Sequence, residues 1–428
     1  MASGRDSQRL IRLLNFLGIM NMVGIFCIIL SEHSPTATTI SASGLPFVSL
    51  SSTRARSAPI VEKKKCQSIK SDNNKSNNNN NNNSNRHKGI NVTLIMLEKA
   101  GINVRMDYPR LPPWWWIEDQ YGEEPKIIGL DRCQRFQMMN RHRLDQIQIA
   151  PVGLFNSGTN FLHQMLLDNC QLPHRPSAAA AAAAAGAPND HGRAFQPPWG
   201  KHTPREFRES HRIEHPVYKN VLLDAVLPIV LIRHPYDWLK SVCEQPYAVH
   251  WRDRDENKTI VCPWIVAGEG ENQTTQSVIV TYGSGNIQYE SVAHLWNRWN
   301  RGYYDTIAFP RIMVRMEDLI FYPQQVIPQI CKCAGGSLLH SYNDIQVPLE
   351  SSKRNVPGHQ QRLSTTYLQA VIKYGNLRTW DRFPLRDHVA ARAILDAELM
   401  QTFGYDHPDL DLVVKRQTAR REGVQSNL

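Results

Sequence analysis

The sequence predicts an α/β protein on three observations. Residues 146–155 are rich in β-branched and apolar side chains, and after a small-residue turn Phe161, Leu162, Met165, Leu166 and Leu167 recur at helical spacing. Residues 226–232 form the strongest strand in the chain and pass through Arg233-His234-Pro235 into a helix at 236–243. Residues 311–315 read as a third strand running into Glu317-Asp318-Leu319. Strands that alternate with helices are the pattern of an α/β sheet.

The turn in the first unit, Asn156-Ser157-Gly158-Thr159, is where chemistry is expected. A strand that turns tightly into a helix aims unpaired backbone N–H groups, and the positive end of the helix dipole, at one point. Gly158 lets the backbone approach a ligand closely, and the Ser157 and Thr159 hydroxyls add donors. That arrangement suits a phosphate. The spacing from Gly153 to Gly158 is that of a Walker A loop, but Thr159-Asn160 stands where Lys-Ser/Thr should be. The loop is therefore poorly equipped for ATP hydrolysis. By itself it also reads as an ordinary strand–turn–helix corner.

With 428 residues, 41% hydrophobic and 21% charged, the chain can bury a substantial core. A formal charge of +10 favours anionic partners such as nucleotides, sulfated or phosphorylated substrates, or membrane head groups. The basic residues are scattered among acidic ones and no nucleic-acid-binding motif is present, so no nucleic-acid partner is expected. Eight cysteines in this length do not make a disulfide scaffold.

Taken in order, residues 1–9 form a short basic tail and 10–30 a predicted transmembrane segment. Leu13 to Leu30 is apolar apart from two asparagines and two glycines. With Arg5, Arg9 and Arg12 on its N-terminal side, the positive-inside rule leaves the N-terminus cytoplasmic. An uncleaved signal anchor is expected; a signal peptide cleaved after the small residues at Ser41-Ala42-Ser43 is the rival. Residues 31–88 lack apolar periodicity, carry seven consecutive asparagines and read as a disordered stem. Glycosylation sequons begin at Asn74, Asn82, Asn91, Asn257 and Asn272, in keeping with a lumenal location.

The globular domain is expected over 89–410, followed by a basic tail at 411–428 that frays from Lys415. Residues 92–100 read as a short helix. Residues 109–116, with three prolines and three tryptophans, read as a loop whose rings pack on the domain or floor a sugar site. Eight alanines at 178–185 look like a low-complexity insertion. The loop Gln196-Pro-Pro-Trp-Gly-Lys-His202 follows the first βα unit, on the edge where open α/β sheets bind ligands. Lys201 and His202 there are either functional or plain surface. Arg233 at a strand's carboxyl end and Ser241 on the next helix either converge on one anion or serve as an ordinary ion pair and cap. Cys243 and Cys262 can pair in an oxidising lumen. Cys331-Lys-Cys333 lacks the second pair a zinc site needs, and no metal is expected. Helices are predicted at 291–304, 365–374 and 388–403.

Three segments in this order resemble the P-loop sulfotransferases: NSGTNFL after a strand, IRHPYDWLKS, and LWNRWNRGYYD followed by IMVRMEDLIFYP. The chain looks closest to the Golgi-type, membrane-anchored carbohydrate sulfotransferase-like subgroup, in which PYDWLKSVCEQPY, PPWGKH and FGYDHP have counterparts. The resemblance spans about residues 89–408. It implies a nucleotide-kinase-like three-layer α/β fold around a parallel sheet, and 3′-phosphoadenosine 5′-phosphosulfate as donor. Position by position, Asn156, Ser157, Gly158, Thr159 and Asn160 would cradle the 5′-phosphosulfate. Arg233 and Ser241 would hold the 3′-phosphate. Lys353 or Arg354, before Gly358, resembles the basic loop that closes over the nucleotide.

One departure stands out. Many members place Lys or Arg two residues before the loop glycine to stabilise the leaving oxygen, and here that position is Asn156. Asn donates a hydrogen bond but neutralises no charge. The expectation is that Lys201 stabilises the leaving side and His202 acts as base, with Glu317 or Asp318 as the rival. The function expected is sulfuryl transfer to a hydroxyl, as on a glycan, from a single-pass type II anchor in the Golgi membrane. The alternative is a membrane-anchored nucleotide-binding protein with little catalysis.

Overall fold

The structure is a computed structural model that describes residues 92–103, 111–173, 196–252, 262–267, 273–283, 285–350, 366–376, 380 and 383–422. All of them fall in Lys75–Leu428, the second of two units into which the chain divides. The predicted tail, span and stem at 1–88, the alanine run, Lys353, Arg354 and the sequon asparagines 74, 82, 91, 257 and 272 lie outside the described residues. Among the described residues no helix is long and apolar enough to cross a membrane.

Four strands build the central sheet: β1 (Ile127–Ile128), β2 (Gln148–Gly153), β3 (Val226–Ile232) and β4 (Ile312–Arg315), in the order β1-β4-β3-β2. β2 and β4 both run parallel to β3, with Gly153 opposite Leu231 and Arg315 opposite Ile232. Their carboxyl ends therefore share one edge. The sheet is mixed rather than parallel throughout, because β1 pairs antiparallel with β4. Gly129 turns the chain away after two residues, at φ +96°, where any Cβ would overlap the Arg311 carbonyl.

Alternation along the strands divides the core. Ile149, Leu227, Ile229, Leu231, Ile312 and Val314 face one side and pack on Leu162, Met165 and Leu166 of helix Thr159–Asn169 and on helix Pro323–Cys333. Val152, Val230, Ile232 and Met313 face the other, against Trp238 of helix Pro235–Glu244 and Trp296 and Trp299 of helix Val292–Tyr304. Helices thus cover both faces. Because all three parallel strands are buried on both sides, they read in sequence as continuous apolar runs.

Four sequence expectations need correction. Residues 114–121 are helix, Trp114–Tyr121, not loop: Pro113 is extended just before it, and proline's fixed φ suits a helix start. The helix expected at 388–403 is two, Leu385–Ile394 and Ala397–Phe403. Asp396 separates them, its Oδ1 capping Leu399 N at 2.9 Å while its carboxylate pairs with Arg301 at 2.6 Å. The supposed frayed tail is helical over Leu410–Arg421, with Asp409 Oδ1 accepting from Asp411 N and Leu412 N. Cysteines do form a framework: Cys133–Cys333 and Cys170–Cys331 join the expected Cys243–Cys262. Cys331 and Cys333 find distant partners because helix Pro323–Cys333 ends beside helix Cys133–Asn140 and the end of Thr159–Asn169.

Candidate active site at the carboxyl edge of the sheet

The turn after β2 is built from two left-handed residues, Asn156 at φ 64° and Gly158 at φ 92°. Ser157 N donates to Leu154 O at 3.1 Å and closes the turn. Gly153, lacking a Cβ, leaves room for the Ser157 hydroxyl, whose buried Oγ has no hydrogen-bond partner among the described residues. The first bond into the helix runs from Leu162 N to Gly158 O, leaving the N–H groups of Thr159, Asn160 and Phe161 without an intrahelical acceptor.

β2 is the outer strand, so its outward backbone groups need partners. Residues 196–203 supply them. Gly153 N donates to Lys201 O at 2.8 Å, and Gly153 O faces His202 Nδ1 at 2.6 Å. Trp199, fully buried against Ala150 and Val226, anchors the loop and donates from Nε1 to Tyr303 Oη at 3.0 Å. Trp299 Nε1 holds the His202 carbonyl at 2.9 Å. Because a carbonyl only accepts, His202 Nδ1 carries the proton, and neutral His202 keeps its lone pair on Nε2. Lys201 Nζ donates to Asn160 Oδ1 at 2.7 Å, which ties this loop to the first turn of the helix.

Above this edge lies a cavity of about 500 Å³. Asn156, Gly158, Thr159 and Asn160 line it, as do Lys201 and His202, so two separate sequence motifs meet there. Among the described lining residues, Ser157, Arg233 and Ser241 do not appear. Ser157 is buried beneath the turn. Arg233 is 4% exposed and donates from Nη1 to Asn156 O at 2.8 Å, while its Nε and Nη2 have no hydrogen-bond partner among the described residues. Its guanidinium lies 5.4 Å from the centre of the Tyr374 ring, and that ring is on the cavity wall. Ser241 contributes its carbonyl, which accepts from Asn156 Nδ2 at 3.3 Å; Gln245 O accepts from the same nitrogen at 2.9 Å. The Asn156 amide is thus turned to a helix end. Lys353 and Arg354 are outside the described residues, but Glu350 before them and Thr366 after them both line the cavity.

The rival carboxylates are held elsewhere. Asp318 is fully buried, paired with Arg315 at 2.6 Å and accepting from Lys126 N at 2.9 Å. Glu317, also fully buried, accepts from His234 N at 3.1 Å and Tyr405 Oη at 3.0 Å. Burial pushes its carboxyl up to about 7. Neither is among the described lining residues, whereas their neighbours Met316 and Ile320 are.

Sequence reasoning missed Lys373, Tyr374, Tyr367 and Tyr247, all on the cavity wall. The first three sit on helix Tyr367–Gly375, started by a Thr366/Gln369 capping box. That helix is predictable from its periodicity, but nothing local marks which face meets the cavity. Among the described residues no group of His, Cys, Asp and Glu could hold a metal ion. No family model, curated protein or solved structure matches the chain. The architecture is that of an α/β protein with its cavity at the carboxyl edge of a largely parallel sheet, the usual ligand position in open sheets of this kind.

Proposed function

We propose that this chain transfers a sulfuryl group from 3′-phosphoadenosine 5′-phosphosulfate to a hydroxyl acceptor such as a glycan. We place it in the P-loop sulfotransferases, acting from a type II anchor in the Golgi lumen. The observation that carries the proposal is the meeting of the strand–turn–helix cradle with Lys201 and His202 in one cavity. The residues fit an anionic donor: the cradle offers first-turn N–H groups and a buried Ser157 hydroxyl, and among the described residues that hydroxyl and two buried Arg233 nitrogens have no hydrogen-bond partner. Three disulfides favour an oxidising compartment.

In the reaction proposed, the acceptor oxygen bonds to sulfur as the bond from sulfur to the 5′-phosphate oxygen breaks. The acceptor's proton passes to His202 Nε2. Adenosine 3′,5′-bisphosphate leaves, its growing charge met by Lys201 and the first-turn N–H groups. Lys201 takes the role that a basic residue at position 156 fills in the resembling family, and Asn160 holds it in place. His202→Ala is expected to lower turnover roughly 10²–10⁴-fold with nucleotide affinity nearly unchanged, measured with labelled donor and by calorimetry. Wild-type turnover in that variant would remove His202 from the mechanism.

The second reading, nucleotide binding with little catalysis, draws on Asn156, whose amide is committed to the carbonyls of Ser241 and Gln245. Labelled-donor assays over a glycan panel separate the two: bisphosphate binding with no labelled product on any acceptor favours the second.

A further inference from the structure

Helix Tyr367–Gly375 closes over the cavity and brings a lysine to its wall. The Lys373 ammonium lies 5.2 Å from the centre of the Tyr374 ring, and the Arg233 guanidinium lies 5.4 Å from the centre of the same ring. Two cations are therefore gathered at one aromatic side chain. Lys373 makes no ion pair within the described residues. Arg233, more than nine-tenths buried, has no hydrogen-bond partner for Nε and Nη2 among the described residues. Among the described residues, the other charged groups acting on Lys373 are Asp237, Lys240 and Glu244 of helix Pro235–Glu244, and Glu350 shares its cavity wall. Asp237 Oδ1 accepts from Trp380 Nε1 at 3.2 Å, and Lys240 and Glu244 approach each other at 4.0 Å. The Arg233 charge acts on Lys373, and a lysine beside a like charge is stabilised in its charged form when an anion joins it.

We infer that Lys373 forms an anion-binding site at the Tyr374 ring that takes a phosphate or sulfate group of a ligand in the cavity, with the buried Arg233 guanidinium adding positive charge nearby. The group can come from the nucleotide or from a sulfated acceptor; the inference rests on the proposed function only for that choice. Lys373 is exposed as a residue, yet its ammonium is pushed down to about 8, first by burial of the charged end and then by Arg233. A bound anion favours the protonated form, so anion affinity falls as pH rises through about 8.

The test is calorimetry on the full chain in detergent with adenosine 3′,5′-bisphosphate, inorganic pyrophosphate and a hexose sulfate, at pH 7 and pH 9. Lys373→Met should weaken at least one probe roughly tenfold at pH 7. Lys373→Arg should keep wild-type affinity at pH 7 and lose the decline toward pH 9, a result that a merely structural lysine would not give. The probe that responds identifies the source of the anion. If the bisphosphate binds and no probe responds to either variant, the inference fails while the nucleotide reading stands. If the bisphosphate does not bind but pyrophosphate or hexose sulfate does in a Lys373-dependent way, the nucleotide reading fails and the anion site stands. Binding of no probe by the wild type overturns both.

Discussion

At the scale of single residues, Asn156 is the position where sequence and structure inform each other most. Its identity raised a chemical question in the sequence, the missing cation. The structure supplies a conformational answer: φ is 64°, a region that Asn enters more readily than other residues with a Cβ. Its amide also satisfies carbonyls at the end of helix Pro235–Glu244. Glu317 shows the opposite case, a residue whose importance lies in its charge state. Its folded pKa, about 7, is raised above the ordinary 4.5 by burial. The unfolded chain therefore releases this proton first, and the contribution to stability is full below about pH 4.5 and declines as pH rises through about 7. Glu317→Gln keeps an oxygen for His234 N and removes the titration. Urea unfolding of the variant should lose part of the decline between pH 5 and pH 8 that the wild type shows. Parallel curves for the two proteins would place the pH dependence elsewhere.

At the scale of elements, legibility follows how local the cause is. The strand at 226–232 is legible to its ends because every residue is apolar and the Arg233-His234-Pro235 breaker is explicit. The helix after the cradle, expected near Thr159 or Asn160 from apolar spacing that starts at Phe161, begins at Thr159. The break at Asp396 is not legible because the apolar spacing persists across it, and the ion pair with Arg301 that fixes the cap comes from a distant helix. Likewise the cavity wall formed by Lys373 and Tyr374 depends on where helix Tyr367–Gly375 docks, a tertiary fact with no sequence period. The cradle element itself depends on Gly158. Its φ is 92°, and an added Cβ would stand 3.0 Å from Met316 Cγ. Gly158→Ala is expected to cost about 1–2 kcal/mol and to weaken anion binding by shifting the helix start. Unchanged urea midpoints and unchanged bisphosphate affinity would contradict this.

At the scale of the whole molecule, three disulfides distribute constraint unevenly. Cys133–Cys333 and Cys170–Cys331 span 200 and 161 residues, whereas Cys243–Cys262 spans 19. In the chain-entropy view longer closed loops restrain the unfolded chain more, with about 2–5 kcal/mol typical for a native bridge. Replacing Cys133 and Cys333 by serine should therefore lower stability more than replacing Cys243 and Cys262, as read from thermal unfolding under oxidising conditions. The reverse order would show that the short bridge restrains something the chain-entropy view omits.

The loop at 196–203 has one more consequence. By occupying the backbone groups of Gly153 at the margin of the sheet, it also denies that margin to another polypeptide. The contacts that present His202 to the cavity thereby act against strand-to-strand association between molecules. Damage to the Trp199 anchor would be felt as aggregation as well as loss of the proposed turnover, so variants in this loop need their solubility measured before any assay of the proposed activity is interpreted.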